Sequence, residues 1–94
     1  MHYMKLEDMI SNAEIQKLRD YFDTNQIEYE LRYWEEGRFN IHVDLDYIRL
    51  SFLTSIGSHG CFEGLIEFYN FIDEPTGYLR ADEAIEIYEK AVAE

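Results

Sequence analysis

The sequence predicts one two-layer α+β domain, in which an N-terminal helix and a C-terminal helix flank a three- to four-stranded antiparallel sheet. Three observations predict this fold class. The chain has 94 residues, the size of a single domain spanning positions 1–94. Apolar residues recur at helical spacing near both ends of the chain, and in its middle they alternate with polar residues, as in a half-buried strand.

The first helix is predicted over about residues 12–24. Ser11 and Glu14 have the spacing of a capping box, in which each side chain binds the backbone N–H of the other residue. The apolar residues that follow at helical spacing are Ile15, Leu18 and Phe22. They indicate a single buried face.

The stretch 28–46, EYELRYWEEGRFNIHVDLD, predicts a β-hairpin. Glu36 and Gly37 supply the turn, because glycine adopts positive φ without steric cost. The apolar face is predicted to carry Ile27, Tyr29, Leu31 and Tyr33 from one strand and Phe39, Ile41, Val43 and Leu45 from the other. The opposite face, which includes Asn40 and His42, is then expected to be solvated.

The remaining elements follow in order. Residues 47–56 predict a third strand or a bent continuation of the second, and residues 57–60 predict a loop. Residues 61–72 fit either a helix or a strand, and their short length and flanking glycines favour a strand. Residues 73–77 contain Pro75 and predict a turn.

The final helix is predicted over about residues 81–93. Its apolar stripe consists of Ala81, Ala84, Ile85, Tyr88, Ala91 and Val92. Asp82 and Glu83 fall in the first turn, where the helix dipole favours negative charge.

Charge is the strongest feature of the composition. The chain has 20 acidic and 8 basic residues and a net charge of −12. The excess of acids is shared by both halves of the chain, so it belongs to the whole domain. Such a surface disfavours direct binding to nucleic acid or to an anionic membrane, and it favours a basic protein surface as partner.

Other features of the sequence indicate the cellular compartment in which the protein is expected. Cys61 is the single cysteine, so no internal disulfide can form and we expect a reducing, cytoplasmic compartment. The N-terminus lacks the pattern of a signal peptide, and no apolar run approaches the length of a membrane span.

Two chemical interpretations of the sequence compete with that of an acidic binding surface. Neighbouring carboxylates such as Glu28 and Glu30 lie roughly 6.5–7 Å apart on a strand, a separation that glycosidases use, but an open hairpin face offers no cleft. His59 and Cys61 supply two ligands where zinc needs three or four. We therefore expect no catalysis, metal or cofactor, and a small enzyme is the less favoured alternative.

The acidic residues themselves predict a partner-binding surface, with solubility alone as the alternative explanation. The predicted contact residues are Glu28, Glu30, Asp44 and Asp46 on the outer hairpin face, Glu35 and Glu36 at its tip, and Asp82, Glu86 and Glu89 along the final helix. Trp34 is predicted to be an aromatic anchor among them. A groove built for the phosphates of DNA would accept a folded carboxylate surface of similar charge.

In size, acidity, aromatic content and helix–sheet–helix order, the chain resembles the small phage-encoded inhibitors of bacterial defence nucleases, the anti-restriction and anti-CRISPR proteins. These inhibitors share no common motif, so the resemblance transfers no individual residue. It implies a non-catalytic inhibitor that mimics nucleic acid and occupies a basic channel of a nuclease or other nucleic-acid-binding protein. The alternative from another class is a self-associating module, a homodimer formed through Trp34, Phe68 or Phe71.

Overall fold

A computed structural model describes residues 13–35, 38–55, 58–60 and 63–93, and of residues 34, 35 and 38 it describes the backbone alone. The elements are α1 (Ala13–Thr24), β1 (Glu30–Glu35), β2 (Arg38–Asp44), β3 (Arg49–Leu53), β4 (Ile66–Tyr69), β5 (Thr76–Leu79) and α2 (Ala81–Ala93). The strands form a five-stranded sheet in chain order, and each strand is antiparallel to the next. The predicted two-layer α+β class is confirmed.

One face of the sheet carries the core, because alternate strand residues point to the same side. The buried residues on this face are Phe39, Ile41, Val43, Leu50, Phe52, Ile66 and Leu79. Both helices pack against it, and α1 contributes Ile15, Leu18 and Phe22, all fully buried as the helical spacing predicts. The Phe22 ring lies 6.1 Å from the Phe52 ring and 5.2 Å from the Tyr88 ring, centroid to centroid, so it joins the sheet to both helices.

The helix α2 occupies its predicted residues, but its apolar stripe differs at one end. Ala81 and Ala84 are buried, and Ile85, Tyr88 and Ala91 pack against the core. Val92 is 49% exposed, so its predicted place in the buried stripe is wrong. Val92 lies in the last turn of the helix. Ile87, which is not part of the predicted stripe, packs against the core.

The hairpin is confirmed, with a shorter first strand than predicted. Leu31 pairs with Ile41 and Tyr33 with Phe39, and a bulge follows between Tyr33 and Glu35. The strand begins at Glu30 rather than Ile27, because the Ile27 N–H donates to the Phe22 carbonyl (2.9 Å) and ends the helix. The predicted turn residues, 36 and 37, lie outside the described residues.

The sheet has one strand more than the sequence predicts. β5 overlaps the predicted turn at 73–77. The sequence does not predict this strand, because it has only four residues, includes Gly77 and directly follows Pro75. β4 falls inside the segment predicted as a strand over 61–72. Before it, the Leu65 N–H donates to the Gly60 carbonyl (2.9 Å), and residues 61 and 62 lie outside the described part of the chain.

The two helices run parallel, side by side. Glu14 contacts Ala81 at one end of the pair, and Tyr21 contacts Glu89 and Tyr88 further along. The sequence separation of these contacts stays at 67–68 residues, which only parallel helices allow. Both N-termini therefore lie at the same end of the helical layer.

Two carboxylates cap the N-terminus of α2. Glu83 Oε1 accepts the Arg80 N–H (2.8 Å), and Glu14 Oε1 accepts the Ala81 N–H (2.7 Å). Both amides are donors that the helix itself leaves unsatisfied. Ser11 lies outside the described residues, so the predicted capping box stays a prediction. The Glu14 carboxylate binds the neighbouring helix.

The environment of Glu14 favours its charged form. Burial raises the pKa of the carboxyl, but the hydrogen bonds from Ala81 and Lys17 and the charges of Lys17 and Arg80 together outweigh burial, so the pKa lies below its usual value. The hydrogen bond between Glu14 and Ala81 links the two helices directly. It also places a negative charge at the positive end of the α2 dipole.

Glu14→Ala is expected to lower the free energy of unfolding by about 1–2 kcal/mol, the range for a lost helix cap. Glu14→Gln should cost less, because its amide oxygen can still accept the Ala81 N–H. The folded pKa is lowered, so the carboxylate stabilises the fold fully above the unfolded pKa of about 4.3, and this stabilisation is lost as the pH falls through the folded pKa. Urea denaturation of parent and variants, at neutral and at acid pH, measures both effects. Equal stability of Glu14→Ala and parent at neutral pH would contradict the cap.

Candidate protein-binding surface

The hairpin acids lie on the sheet face that points away from the helices. Residues directly opposite one another on this face include Glu30 with His42, His42 with Ser51, and Asp44 with Arg49. Glu28 precedes β1 and is exposed, and together with Glu30, His42 and Asp44 it lines a shallow depression of about 310 Å³. Asp46 lies beyond the end of β2, in the turn to β3, and it does not line this depression.

Arg49 sits between two of these carboxylates. Its Nη1 lies 2.8 Å from Asp44 Oδ1 and 3.0 Å from Oδ2, and its Nη2 binds Glu30 Oε1. Arg32 Nη2 also lies 3.3 Å from Glu30 Oε2. The hydrogen bond from Arg49 is the main cause that lowers the pKa of Glu30. This face is consequently a mixed ionic network, and its own arginines offset much of its negative charge.

His42 lies at the centre of this network. Its Nδ1 is 2.8 Å from Ser51 Oγ, and the ring is partly buried. Burial lowers the pKa of His42, and the positive charge of Arg49 lowers it further, against the opposing effect of Glu30. The ring is therefore neutral at pH 7 and adds no positive charge to the face.

The expected solvation of the outer face is wrong at Asn40, which is only 3% exposed. Its Oδ1 accepts the N–H of Thr54 (2.8 Å) and that of Ser55 (3.3 Å). Thr54 Oγ1 in turn donates to the Phe39 carbonyl (2.6 Å). These bonds satisfy backbone groups where β3 ends, so this part of the face serves the fold.

The second acidic set lies on the opposite side of the molecule. Asp82, Glu86 and Glu89 are exposed and follow one another at spacings of four and three residues, so they share one side of α2. We call these three residues the acidic ridge. Within the described residues, no lysine, arginine or histidine forms an ion pair with any of them.

Tyr21 fixes one end of the acidic ridge. Its hydroxyl donates to Glu89 Oε2 (2.9 Å), and this bond links the ridge to α1. Burial raises the pKa of Tyr21, and the bond to the Glu89 carboxylate raises it further, so the phenol stays protonated and remains a donor. The structure therefore brings Asp82, Glu86 and Glu89 together and keeps them apart from Glu28, Glu30 and Asp44.

The predicted hairpin tip remains a prediction. Trp34 and Glu35 belong to β1, beside its bulge, but the structure describes only their backbone. Glu36 lies outside the described residues.

Sequence reasoning missed the role of a buried acid, Glu67. It is 7% exposed, and its Oε1 accepts the His59 N–H and lies 3.0 Å from His59 Nδ1. A Cβ at Gly77 would lie 2.2 Å from His59 Cβ, so His59 also packs directly on β5. His59 thus fastens residues 58–60 to the sheet. Alternation alone places Glu67 on the polar face and gives no sign that it is buried.

Cys61, the other residue of the predicted ligand pair, lies outside the described residues. The part of the chain that the structure describes holds no group of three His, Cys, Asp or Glu side chains suited to a metal ion.

Fold and surface together define an acidic two-layer α+β domain with an ionic sheet face and a separate acidic ridge. No protein-family model matches the chain, and neither a curated protein nor a solved structure is significantly similar to it. Among the described helices, none has the length and apolar character needed to cross a membrane.

Arg49→Met is expected to raise the pKa of Glu30 toward its ordinary value, because the main hydrogen bond to that carboxylate is lost. The pKa of His42 should rise as well, although burial of the ring will keep it below the ordinary value. NMR titration of both side chains measures these changes. Arg80→Met removes an exposed arginine that contacts neither group and is the matched control. An unchanged Glu30 pKa in Arg49→Met would show that the bridge does not form in solution.

Gly77→Ala is expected to destabilise the fold by roughly 1–3 kcal/mol, because the added methyl group overlaps His59. The penalty should shrink in the His59→Gly background, where the nearest overlapping atom is absent. Denaturation midpoints of the four proteins in this double-mutant cycle measure the coupling. Additive effects of the two substitutions would contradict the packing of His59 on β5.

Proposed function

We propose that this chain is a non-catalytic binding protein that presents its acidic ridge to a basic partner, most concretely the nucleic-acid channel of a nuclease or another nucleic-acid-binding protein. The observation that supports the proposal is the ridge itself. It consists of three exposed carboxylates on one side of a helix, with no cation paired to them among the described residues. The single cysteine and the phage-inhibitor resemblance favour a cytoplasmic setting for this interaction.

The ridge is long enough to take the place of a few phosphates in a channel that binds nucleic acid. Asp82, Glu86 and Glu89 span about 10 Å along the helix axis at 1.5 Å per residue. Duplex DNA carries a charge every 1.7 Å or so along its axis when both strands are counted. The ridge therefore replaces a few phosphates, and the rest of the attraction comes from the long-range field of the −12 chain.

The ridge is held rigid before any partner arrives. The N-terminus of α2 is capped by Glu83 and Glu14, and Tyr21 binds Glu89 near the other end. Tyr88, on the buried side of the helix, packs edge-on against Phe22. A partner would therefore spend little binding energy on ordering the helix, which favours affinity.

The outer hairpin face suits the same role less well. A basic partner that approached Glu30 and Asp44 would have to compete with Arg49 for the same oxygens. Glu28 and Asp46 are exposed and lack such a contact within the described residues, but they are isolated from one another. We therefore assign the primary contact to the ridge and expect the hairpin acids to contribute mainly to the general field.

The first experiment identifies the partner by affinity capture from a bacterial lysate with mass spectrometry. The second measures association rates with that partner at low and at high salt. A ridge variant carries Asp82→Asn, Glu86→Gln and Glu89→Gln. The matched control, with the same change in net charge, carries Glu28→Gln, Glu30→Gln and Asp44→Asn.

The ridge variant should associate about tenfold more slowly than the parent at low salt, with a flatter salt dependence, because steering depends on the local field. The matched control should change the rate by a few-fold at most, since only net charge is altered. The ridge variant should remain folded, because relief of repulsion within α2 offsets the loss of a favourable charge in its first turn. The control variant should remain folded because the ion pairs of Arg49 that it removes are exposed, and exposed pairs contribute little to stability. Equal slowing by the two variants would contradict a local ridge contact. Failure of duplex DNA to compete for the partner would contradict nucleic-acid mimicry.

A further inference from the structure

The molecule has an apolar groove on the side of α2 that faces away from α1. It lies between the C-terminal half of α2, strands β3 and β4, and the connection from β4 to β5, and its volume is about 340 Å³. The apolar residues that line it include Tyr47, Ile48, Phe68, Ile72, Ile87 and Ala91. We call this feature the C-terminal groove. It does not include any residue of the acidic ridge.

The rim of the groove exposes large apolar side chains. Ile72 is 73% exposed, and the neighbouring Phe71 is 60% exposed. Tyr47 is also exposed, and its hydroxyl donates to the Ala91 carbonyl (2.9 Å). This bond fixes the ring between the groove and a second depression, which is lined by Asp44, Asp46 and Val92. Clustered apolar exposure of this kind marks an interaction site more often than scattered single residues do.

The loop that bears Phe71 and Ile72 is held in a costly conformation. Phe71 has φ 68°, a left-handed value that bulky L residues rarely adopt. Asn70 maintains the turn, because its Oδ1 accepts the N–H of Ile72 (3.0 Å) and that of Asp73 (2.9 Å). Strain of this kind, fixed by specific hydrogen bonds and combined with outward-facing apolar residues, points to a binding role for the loop.

Charge around the groove indicates what it binds. Asp73 lines the groove, and Asp44 and Asp46 line the adjoining depression on the other side of Tyr47. The C-terminal end of the α2 dipole adds partial negative charge at Ala91–Ala93. Lys90 is the single basic residue among the described residues that line the two depressions.

We infer that the C-terminal groove docks a partner segment that is apolar on one side and carries lysine or arginine at its flanks. The apolar side chains enter between Ile72 and Ile87, and the cations face Asp46 and Asp73. A second copy of this chain is a poorer occupant, because it would bring two fields of −12 together and place acidic rims against each other. The inference is independent of the ridge, since the two surfaces share no residue.

The test uses the full chain, labelled with 15N, and a synthetic amphipathic helix of leucine and lysine about four turns long. A peptide of the same length made of leucine and glutamate is the charge control. The leucine–lysine peptide should shift the amide signals around Ile72 and Ile87, and the leucine–glutamate peptide should not. The same shifts should persist in the ridge variant, so that failure of the groove and failure of the ridge are distinguished.

Ile72→Ser should raise the Kd for the leucine–lysine peptide about tenfold, the effect of one lost buried aliphatic side chain. Ile72 is exposed, so the variant should fold normally. Tyr78→Asn is the matched control. It removes an exposed apolar side chain outside the groove at a positive φ that Asn tolerates, and it should change Kd by about twofold at most. The pair Asp46→Asn and Asp73→Asn should weaken binding and flatten its salt dependence.

Four results would overturn the inference. Equal binding of the two peptides would remove the charge argument. An unchanged Kd in Ile72→Ser, or shifts confined to the acidic ridge, would show that the groove is not the site. Concentration-dependent dimerisation in sedimentation velocity, abolished by Ile72→Ser, would make a second copy the occupant in place of a basic segment.

Discussion

The packing of both helices on one face of the sheet is the constraint on which the rest of the structure depends. The chain supplies one helix before the sheet and one after it, and the single apolar sheet face must accommodate both. Phe22 lies where the three elements meet and contacts the rings of Tyr29, Phe52 and Tyr88. Because the helices must lie side by side, their polar contacts, from Glu14 to Ala81 and from Tyr21 to Glu89, follow from this packing.

The same constraint sorts the acidic residues into two groups. Glu14, Glu30, Asp44, Glu67 and Glu83 bind groups within the fold, so much of their charge is used to cap a helix, bridge strands or hold a loop. The acidic ridge is exposed on α2. Its Glu89 accepts a hydrogen bond from Tyr21, but no cation among the described residues pairs with the ridge. Net charge alone does not distinguish these groups. The difference lies in whether the fold brings a cation or a backbone N–H to the carboxylate.

The period of the apolar residues predicted those helices and strands in which buried residues recur at regular spacing. Both helices and the β1–β2 hairpin have that property, and they lie where periodicity placed them. β5 is too short to show a period. The ion pair of Arg49 with Glu30 depends on strand register, which brings together residues 19 positions apart. The contact of the buried Glu67 with His59 depends on the course of the loop that carries His59. For that reason the sequence identified the ridge as a set of neighbours on one helix, and it did not identify the neutralisation of the hairpin acids or the apolar groove.

The ridge and the C-terminal groove lie on different sides of one helix, and the physics of binding assigns them different roles. Exposed carboxylates act at long range and mainly raise the association rate, whereas desolvated apolar contacts act at short range and mainly slow dissociation. Ile87 and Glu89, two residues apart on α2, point respectively toward the groove and toward α1. A basic partner attracted by the ridge would therefore gain residence time if part of it also reached the groove. If both proposals hold, a partner that combines a cationic surface with a protruding apolar segment would bind more tightly than a purely cationic surface, because only the former would also dissociate slowly.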